Sequence, residues 1–175
     1  MSMIKLCPVC GSGHLTRQST IESITYKGFT ESYAHLFSVC DICHVDQVDA
    51  EEMRANKRSV IRLKKVIDGL LTGDEMKAIR TSWRISQDDA SRIFGGGPKA
   101  FSKYENDDVA QSESMDKLIR TANKFPQVFS DLCSAAGVTP LTAIATTITV
   151  KRTVFTWSGS AETMSAQPDI VENFH

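Results

Sequence analysis

The sequence predicts an α+β protein that is divided into four segments. Two closely spaced cysteine pairs frame a short stretch of strand-like alternation in the first third of the chain. Helical periodicity, punctuated by capping residues and glycines, follows as far as Gly137. A run rich in β-branched residues comes last. The predicted boundaries are residues 1–48, 49–72, 73–137 and 138–175.

Composition narrows the class of protein before any motif is considered. The chain has 175 residues, five cysteines and a net charge of −1. It contains no apolar run near the length of about 20 residues that a membrane helix needs, and its start lacks the apolar region of a signal peptide. We therefore expect a cytoplasmic protein without membrane contact. Thiols stay reduced in that compartment, so paired cysteines favour a metal over disulfides.

The four amino-terminal cysteines have the spacing of a metal site. Cys7 and Cys10, like Cys40 and Cys43, are separated by two residues, so each tight turn presents two sulfurs to one ion. Four thiolates form the tetrahedral cage that Zn²⁺ prefers and leave no position open for water. We predict one structural Zn²⁺ per chain. Buried thiols or redox pairs remain alternatives, as does His44 in place of one thiolate.

The segment between the cysteine pairs predicts a hairpin or a small sheet. Residues 24–40 contain an alternating series that includes Tyr33, His35, Phe37 and Val39. Such a domain is too small for a large apolar core, so metal binding should supply much of its stability.

A connecting helix is predicted next, because Asp49 and Glu52 form a capping-box pattern. Thr72 and Gly73 end it. Residues 54–65 contain six basic side chains and no acidic one. This basic run is interpreted as a solvated face, with contact to DNA phosphate or to an acidic partner as open alternatives.

The middle segment predicts an all-α helix-turn-helix domain of the Xre/Cro-like type. Ser86, with Asp89 three residues on, is a good N-cap, and residues 95–97 are glycines that break the helix. Pro98 suits the first turn of the next helix. Further helices begin at Ser112 or Ser114 and at Pro126, and the apolar face of the last one places Cys133 in the core.

The helix that begins at Pro98 is the expected recognition helix. Lys99, Ser102 and Lys103 would face the DNA groove, and Gln87 is placed to contact a phosphate. Small helical bundles without a DNA function share much of this pattern.

These motifs together resemble one family of proteins. The two cysteine pairs, the following helix and the string SQDDASRIFGGGPKAFSKYE are similar to the MqsA (YgiT-type) antitoxins of bacterial toxin–antitoxin systems, over roughly residues 4–137. The resemblance implies a homodimer whose zinc-bearing domain binds a cognate toxin, usually an mRNA-cleaving enzyme, and whose carboxy-terminal domain binds operator DNA. The implied zinc ligands are Cys7, Cys10, Cys40 and Cys43.

The DNA-reading positions depart from the family pattern. The family commonly has Asn where this chain has Lys99, and Arg where it has Lys103. Lys cannot copy the two hydrogen bonds by which Asn reads adenine, nor a bidentate Arg. DNA binding is still expected, but with a different operator sequence or with more dependence on phosphate.

The tail from residue 138 is predicted to lie beyond the family resemblance. Its strand-like part must pair with or pack against another surface, because an unpaired strand of this composition aggregates. Three partners could shield this strand from solvent. It could pair with its dimer mate or pack on its own helices, it could add to a sheet edge of the toxin, or it could be bound by a chaperone. The layout resembles toxin–antitoxin–chaperone systems, in which a SecB-like chaperone binds such a segment. The expected chaperone-binding residues are Ile148, Val150, Val154, Phe155 and Trp157.

The sequence thus predicts an antitoxin that neutralises a toxin, represses its own operon and depends on a chaperone. No set of residues suggests an enzyme. A stand-alone zinc-containing transcriptional regulator, or an interaction adaptor that has lost DNA binding, remains an alternative.

Overall fold

The computed structural model describes residues 5–140, which form an antiparallel sheet followed by six helices. The strands of the sheet lie side by side in the order in which they occur in the chain. The predicted chaperone-binding residues lie outside the described part. The strands are β1 (Lys5–Leu6), β2 (His14–Tyr26), β3 (Phe29–Cys40) and β4 (Asp46–Gln47). The helices are α1 (Ala50–Ile67), α2 (Gly73–Ser82), α3 (Gln87–Phe94), α4 (Ala100–Glu105), α5 (Glu113–Lys124) and α6 (Pro126–Ala136).

A long hairpin of β2 and β3 dominates the sheet. The two strands pair from Leu15 opposite Cys40 to Tyr26 opposite Phe29. The turn residues Lys27 and Gly28 have φ of 50° and 84°, the two positive values that a type I′ hairpin turn requires. The hairpin therefore reaches from the cysteine cluster to a distant tip, and it is longer than the predicted segment because β2 already begins at His14.

Helix α1 packs against the hairpin through polar contacts. The predicted capping box at its start is confirmed: Asp49 accepts a hydrogen bond from the Glu52 N–H, and the Glu52 side chain bonds back to the Asp49 N–H. The Asn56 amide bonds both the N–H and the carbonyl of Leu36, each at 2.8 Å. The helix ends at Ile67, earlier than predicted, because Gly69 follows in the left-handed conformation with φ of 69°.

The apolar core lies in the helical domain. Trp83 stacks on Phe94 and Phe129 with centroid distances of 5.3 and 4.4 Å. Phe101 and the predicted core residue Cys133 are 1% and 2% exposed. Across residues 5–140, no helix combines the length and the apolar character that a bilayer crossing needs.

Helix α4, the predicted recognition helix, is shorter than the sequence predicts. Gly95, Gly96 and Gly97 all have φ between 86° and 94°, which ordinary side chains rarely adopt. A Cβ at Gly96 would lie only 2.9 Å from the Ala100 Cβ. The loop therefore continues through Lys99, and the helix starts at Ala100 instead of Pro98.

Candidate metal centre and nucleic-acid interface

The structure brings the four amino-terminal cysteines into one cluster. All four sulfur atoms lie within 4.8 Å of one another. The Sγ atoms of Cys7 and Cys43 are 3.7 Å apart, as are those of Cys10 and Cys40. A zinc–sulfur bond of about 2.3 Å gives a tetrahedron whose edge is about 3.8 Å. The sulfur positions therefore fit one tetrahedral zinc ion.

Both cysteine pairs are shaped by the same backbone turn. The N–H of Gly11 bonds the carbonyl of Cys7 at 2.9 Å, and the N–H of His44 bonds the carbonyl of Cys40 at 3.2 Å. Gly11 and His44 both adopt positive φ, of 68° and 57°. His44 thus closes the second turn with its backbone, and among residues 5–140 the cluster of candidate ligands comprises the four cysteines.

Backbone N–H groups point at the sulfur atoms. The N–H of Gly13 bonds the Sγ of Cys10 at 3.3 Å, and the N–H of Ile42 bonds the Sγ of Cys40 at 3.4 Å. Hydrogen bonds from the backbone N–H groups of Ser12 and Gly13 lower the pKa of the Cys10 thiol to about 6. These contacts favour the thiolate, which is the metal-binding form.

The cysteine cluster leaves no room for a side chain at Gly13. A Cβ on this residue would lie 2.3 Å from the Sγ of Cys40. A larger residue at this position would displace a ligand sulfur atom.

The second candidate site is the exposed face of α4. Lys99 and Lys103 are exposed and Ser102 is half-buried, whereas Ala100 and Phe101 turn into the core. The Gln87 amide donates a hydrogen bond of 2.7 Å to the Glu105 carboxylate. Arg80 forms an ion pair with the same carboxylate. The start of α3 is thereby fixed against the end of α4, the arrangement that a helix-turn-helix needs.

A third feature, the outer edge of β2, was missed by sequence reasoning. Strand β1 pairs only with His14 and Leu15. Between Thr16 and Tyr26 no other described strand pairs with this edge. Because most of β2 is exposed on both faces, its sequence shows little alternation of polar and apolar residues that could have revealed the strand.

Comparison with known proteins agrees with this architecture. The family model of MqsA, the antitoxin component of a bacterial toxin–antitoxin system, matches residues 5–167. The antitoxin MqsA of Escherichia coli (strain K12) is 27% identical over 128 residues, which cover 72% of this chain and 98% of the relative. The prediction that the resemblance ends near Gly137 is wrong, because the family model continues into the tail. The chain belongs to the MqsA family of antitoxins.

Proposed function

We propose that the chain binds and neutralises a cognate toxin through its zinc domain, residues 1–48, and represses its own operon through the helix-turn-helix. The observation that carries this proposal is the pairing of a four-cysteine centre with a separately built helical domain in a chain of the antitoxin family. The active form is a homodimer, and light scattering of the purified protein tests that stoichiometry.

In this proposal the cysteine centre holds one structural Zn²⁺ per chain. All four ligands are thiolates, so the ion has no open position and supplies folding energy instead of chemistry. Zinc analysis of the purified protein should give one ion per chain, and Cys40→Ser should lose it.

The outer edge of β2 is the proposed toxin-binding surface. The opposite edge of the hairpin pairs with β4 at Ser38 and Val39 and bonds Asn56 at Leu36. On the β2 edge, from Thr16 to Tyr26, no other strand within residues 5–140 pairs with the backbone. Ile21, at 72% exposure, adds apolar surface. An open edge accepts a strand from a partner through main-chain hydrogen bonds. Cleavage of mRNA by that toxin is implied by the family resemblance.

A proline scan of β2 tests the toxin-binding surface. Proline removes a backbone donor, so at an outward-pointing N–H of residues 18–24 it should weaken toxin binding in a pull-down. Alanine at the same positions, which keeps the backbone N–H, is the matched control. Toxin capture by all of the β2 variants would exclude this surface.

The proposed DNA contacts are Lys99, Ser102 and Lys103 on α4 and Gln87 on α3. Lys99→Ala and Lys103→Ala should each cost about 1–3 kcal/mol of operator affinity if the lysines read bases. A loss of equal size on random DNA would assign them to the phosphate backbone. Lys77→Ala, at an exposed lysine of α2, is the control. A wild-type chain that fails to bind its upstream DNA would refute repression.

We further propose that residues 138–175 bind a SecB-like chaperone. Aromatic and basic residues stand together in the segment KRTVFTW, which suits the extended peptides that such chaperones hold. The proposed contacts are Ile148, Val150, Val154, Phe155 and Trp157. Deletion of residues 138–175 should remove the need for the chaperone and preserve toxin neutralisation. Failure of the shortened chain to fold would instead mean that the tail pairs with its own dimer mate or packs on the helices.

A further inference from the structure

The four candidate metal ligands differ in how far solvent reaches them. Cys43 is exposed and Cys10 is half-buried, whereas Cys7 and Cys40 are 1% and 0% exposed. Cys43 lies on a turn, residues 41–44, all of which are exposed. A dissolved reagent therefore meets the cluster first at the sulfur of Cys43.

The hydrogen bonds of the sulfur atoms differ as well. The Sγ of Cys10 and the Sγ of Cys40 each accept a backbone N–H, at 3.3 and 3.4 Å. Within residues 5–140, the hydrogen-bond contact of the Cys7 Sγ is with the Cys43 Sγ, at 3.7 Å. A hydrogen bond withdraws charge from a thiolate and makes it a weaker nucleophile. Cys7 is therefore the most nucleophilic of the three less exposed sulfur atoms.

These two features select one pair of cysteines. The thiolate is the form of cysteine that oxidants attack, and oxidation is favoured where the thiolate is exposed and a second cysteine stands beside it. Metal binding keeps cysteine ligands in the thiolate form. Cys43 has the exposure, and Cys7, at 3.7 Å, is the neighbouring nucleophile that can attack the oxidised sulfur.

We propose that Cys43 is an oxidative modification site, at which a peroxide joins Cys43 and Cys7 in a disulfide and thereby removes two ligands of the proposed zinc centre. The inference rests on the structural Zn²⁺ of the proposed function. Cys10 and Cys40 remain thiolates in this reaction. The ligand set thus falls from four thiolates to two.

The reaction proceeds in two balanced steps. The Cys43 thiolate attacks one oxygen of hydrogen peroxide; an S–O bond forms, the O–O bond breaks and hydroxide leaves, which gives the sulfenic acid. The Cys7 thiolate then attacks the sulfur of Cys43; the S–S bond forms, the S–O bond breaks and a second hydroxide leaves. The two cysteines together lose two electrons, and these electrons reduce the peroxide.

Oxidation at this site should unfold the amino-terminal domain. Two thiolates do not complete the tetrahedral site that Zn²⁺ prefers, so the ion is released. Metal binding supplies folding free energy to a small domain of this kind. The β2 edge, which is the proposed toxin-binding surface, should then be lost. Because a thiol reductant reverses a disulfide, reduction in the presence of zinc should restore the domain.

Peroxide treatment of the full-length, zinc-loaded protein tests the proposal. An equimolar amount of hydrogen peroxide should release the zinc, which a colorimetric chelator measures. Peptide mass spectrometry, after alkylation of the free thiols, should find the disulfide between Cys7 and Cys43. Cys133 is 2% exposed and should be recovered in the reduced form.

Two histidine variants separate Cys43 from the other ligands. Histidine binds zinc in place of a thiolate but forms no disulfide. Cys43→His should therefore keep its zinc under the same treatment. The matched control Cys10→His retains the reactive pair and should lose its zinc as the wild type does. If Cys43→His does not take up zinc, the peptide map of the wild type decides alone.

Three results would overturn the proposal. They are retention of zinc by the peroxide-treated wild type, a disulfide that leaves out Cys43 or Cys7, and equal loss of zinc from Cys43→His. A wild-type protein that cannot be loaded with zinc would instead refute the proposed metal centre, and the inference would fall with it.

Discussion

Removal of the proposed zinc ion should unfold the amino-terminal domain and spare the helical domain. Chelation removes the ion, and Cys40→Ser removes a ligand that is 0% exposed at the base of the hairpin. Within residues 5–48 the buried side chains are those of Cys7, Ser38 and Cys40, two of them candidate ligands. No apolar core remains in this domain once the thiolates lose their ion.

The free energy of zinc binding exceeds the free energy of unfolding expected for a domain of this size. A domain of this length has a free energy of unfolding of about 2–7 kcal/mol at the usual value per residue. A four-ligand zinc site contributes about 10–16 kcal/mol of binding free energy at neutral pH. Loss of the ion thus removes more free energy than such a domain has in total, so the hairpin should not survive without it.

Hydrogen exchange of the β2 and β3 amides measures the hairpin, and Trp83 fluorescence measures the helical domain. Trp83 stacks between Phe94 and Phe129, and Trp157→Phe makes it the single tryptophan of the chain. After chelation the hairpin amides should lose protection while Trp83 emission stays constant, and zinc should restore the protection. Hairpin amides that remain protected without metal would refute the reasoning.

Three further predictions concern the helical domain. Phe101→Ala, at a side chain 1% exposed, should cost about 3–5 kcal/mol in a denaturant titration followed by Trp83. Gly96→Ala should destabilise by about 1–3 kcal/mol because φ is 94° and the new Cβ meets Ala100. Burial raises the pKa of Asp116, but hydrogen bonds from the N–H of Leu71 and from the side chains of Arg120 and Gln111 hold it below its ordinary value of 3.8. The Asp116 carboxylate should therefore stabilise the folded protein above about pH 4, and this stabilisation should be lost as pH falls through the lowered pKa.

Each of these three predictions can be contradicted by a specific result. A Phe101→Ala loss below 1 kcal/mol, or a neutral Gly96→Ala, would contradict the packing and the loop conformation. For Asp116 the measurement is the stability difference between wild type and Asp116→Ala as a function of pH. The difference should shrink on acidification, and a constant difference down to pH 2 would show that the carboxylate is not the cause.

Local signals made much of the fold predictable. The spacing of Cys7, Cys10, Cys40 and Cys43 predicts a cluster that the structure confirms, since short turns fix where neighbouring thiols point. The capping pairs Asp49–Glu52 and Ser86–Asp89 are likewise confirmed as helix starts. Such signals lie within three residues of one another, so the sequence alone contains them.

Long-range polar contacts could not be predicted. Met53 and Val66 recur at helical spacing, a pattern typical of a packed helix face, yet they are 63% and 58% exposed. The buried residues of α1 are instead Glu52, Asn56 and Lys65. The partner of Lys65 is Asp107, 42 residues away. Nothing near a basic residue in the sequence reveals that a distant carboxylate will compensate its burial.

The start of α4 was likewise not predicted correctly from the sequence. Pro98 is a good first residue for a helix, but the preceding glycine has φ of 93° and Lys99 has φ of −123°, outside the helical region. The extended glycine loop delays the helix until Ala100. Glycine permits several backbone conformations, and the surrounding core selects among them.

The central claim is that this chain neutralises a toxin through a metal-supported zinc domain, independently of DNA reading. Growth of cells that express the neighbouring toxin gene, together with variants of this chain, tests it most directly. Wild type and Lys99→Ala/Lys103→Ala should both restore growth, and Cys40→Ser should not. Failure of the wild type to restore growth, or restoration by Cys40→Ser at equal protein level, would contradict the account.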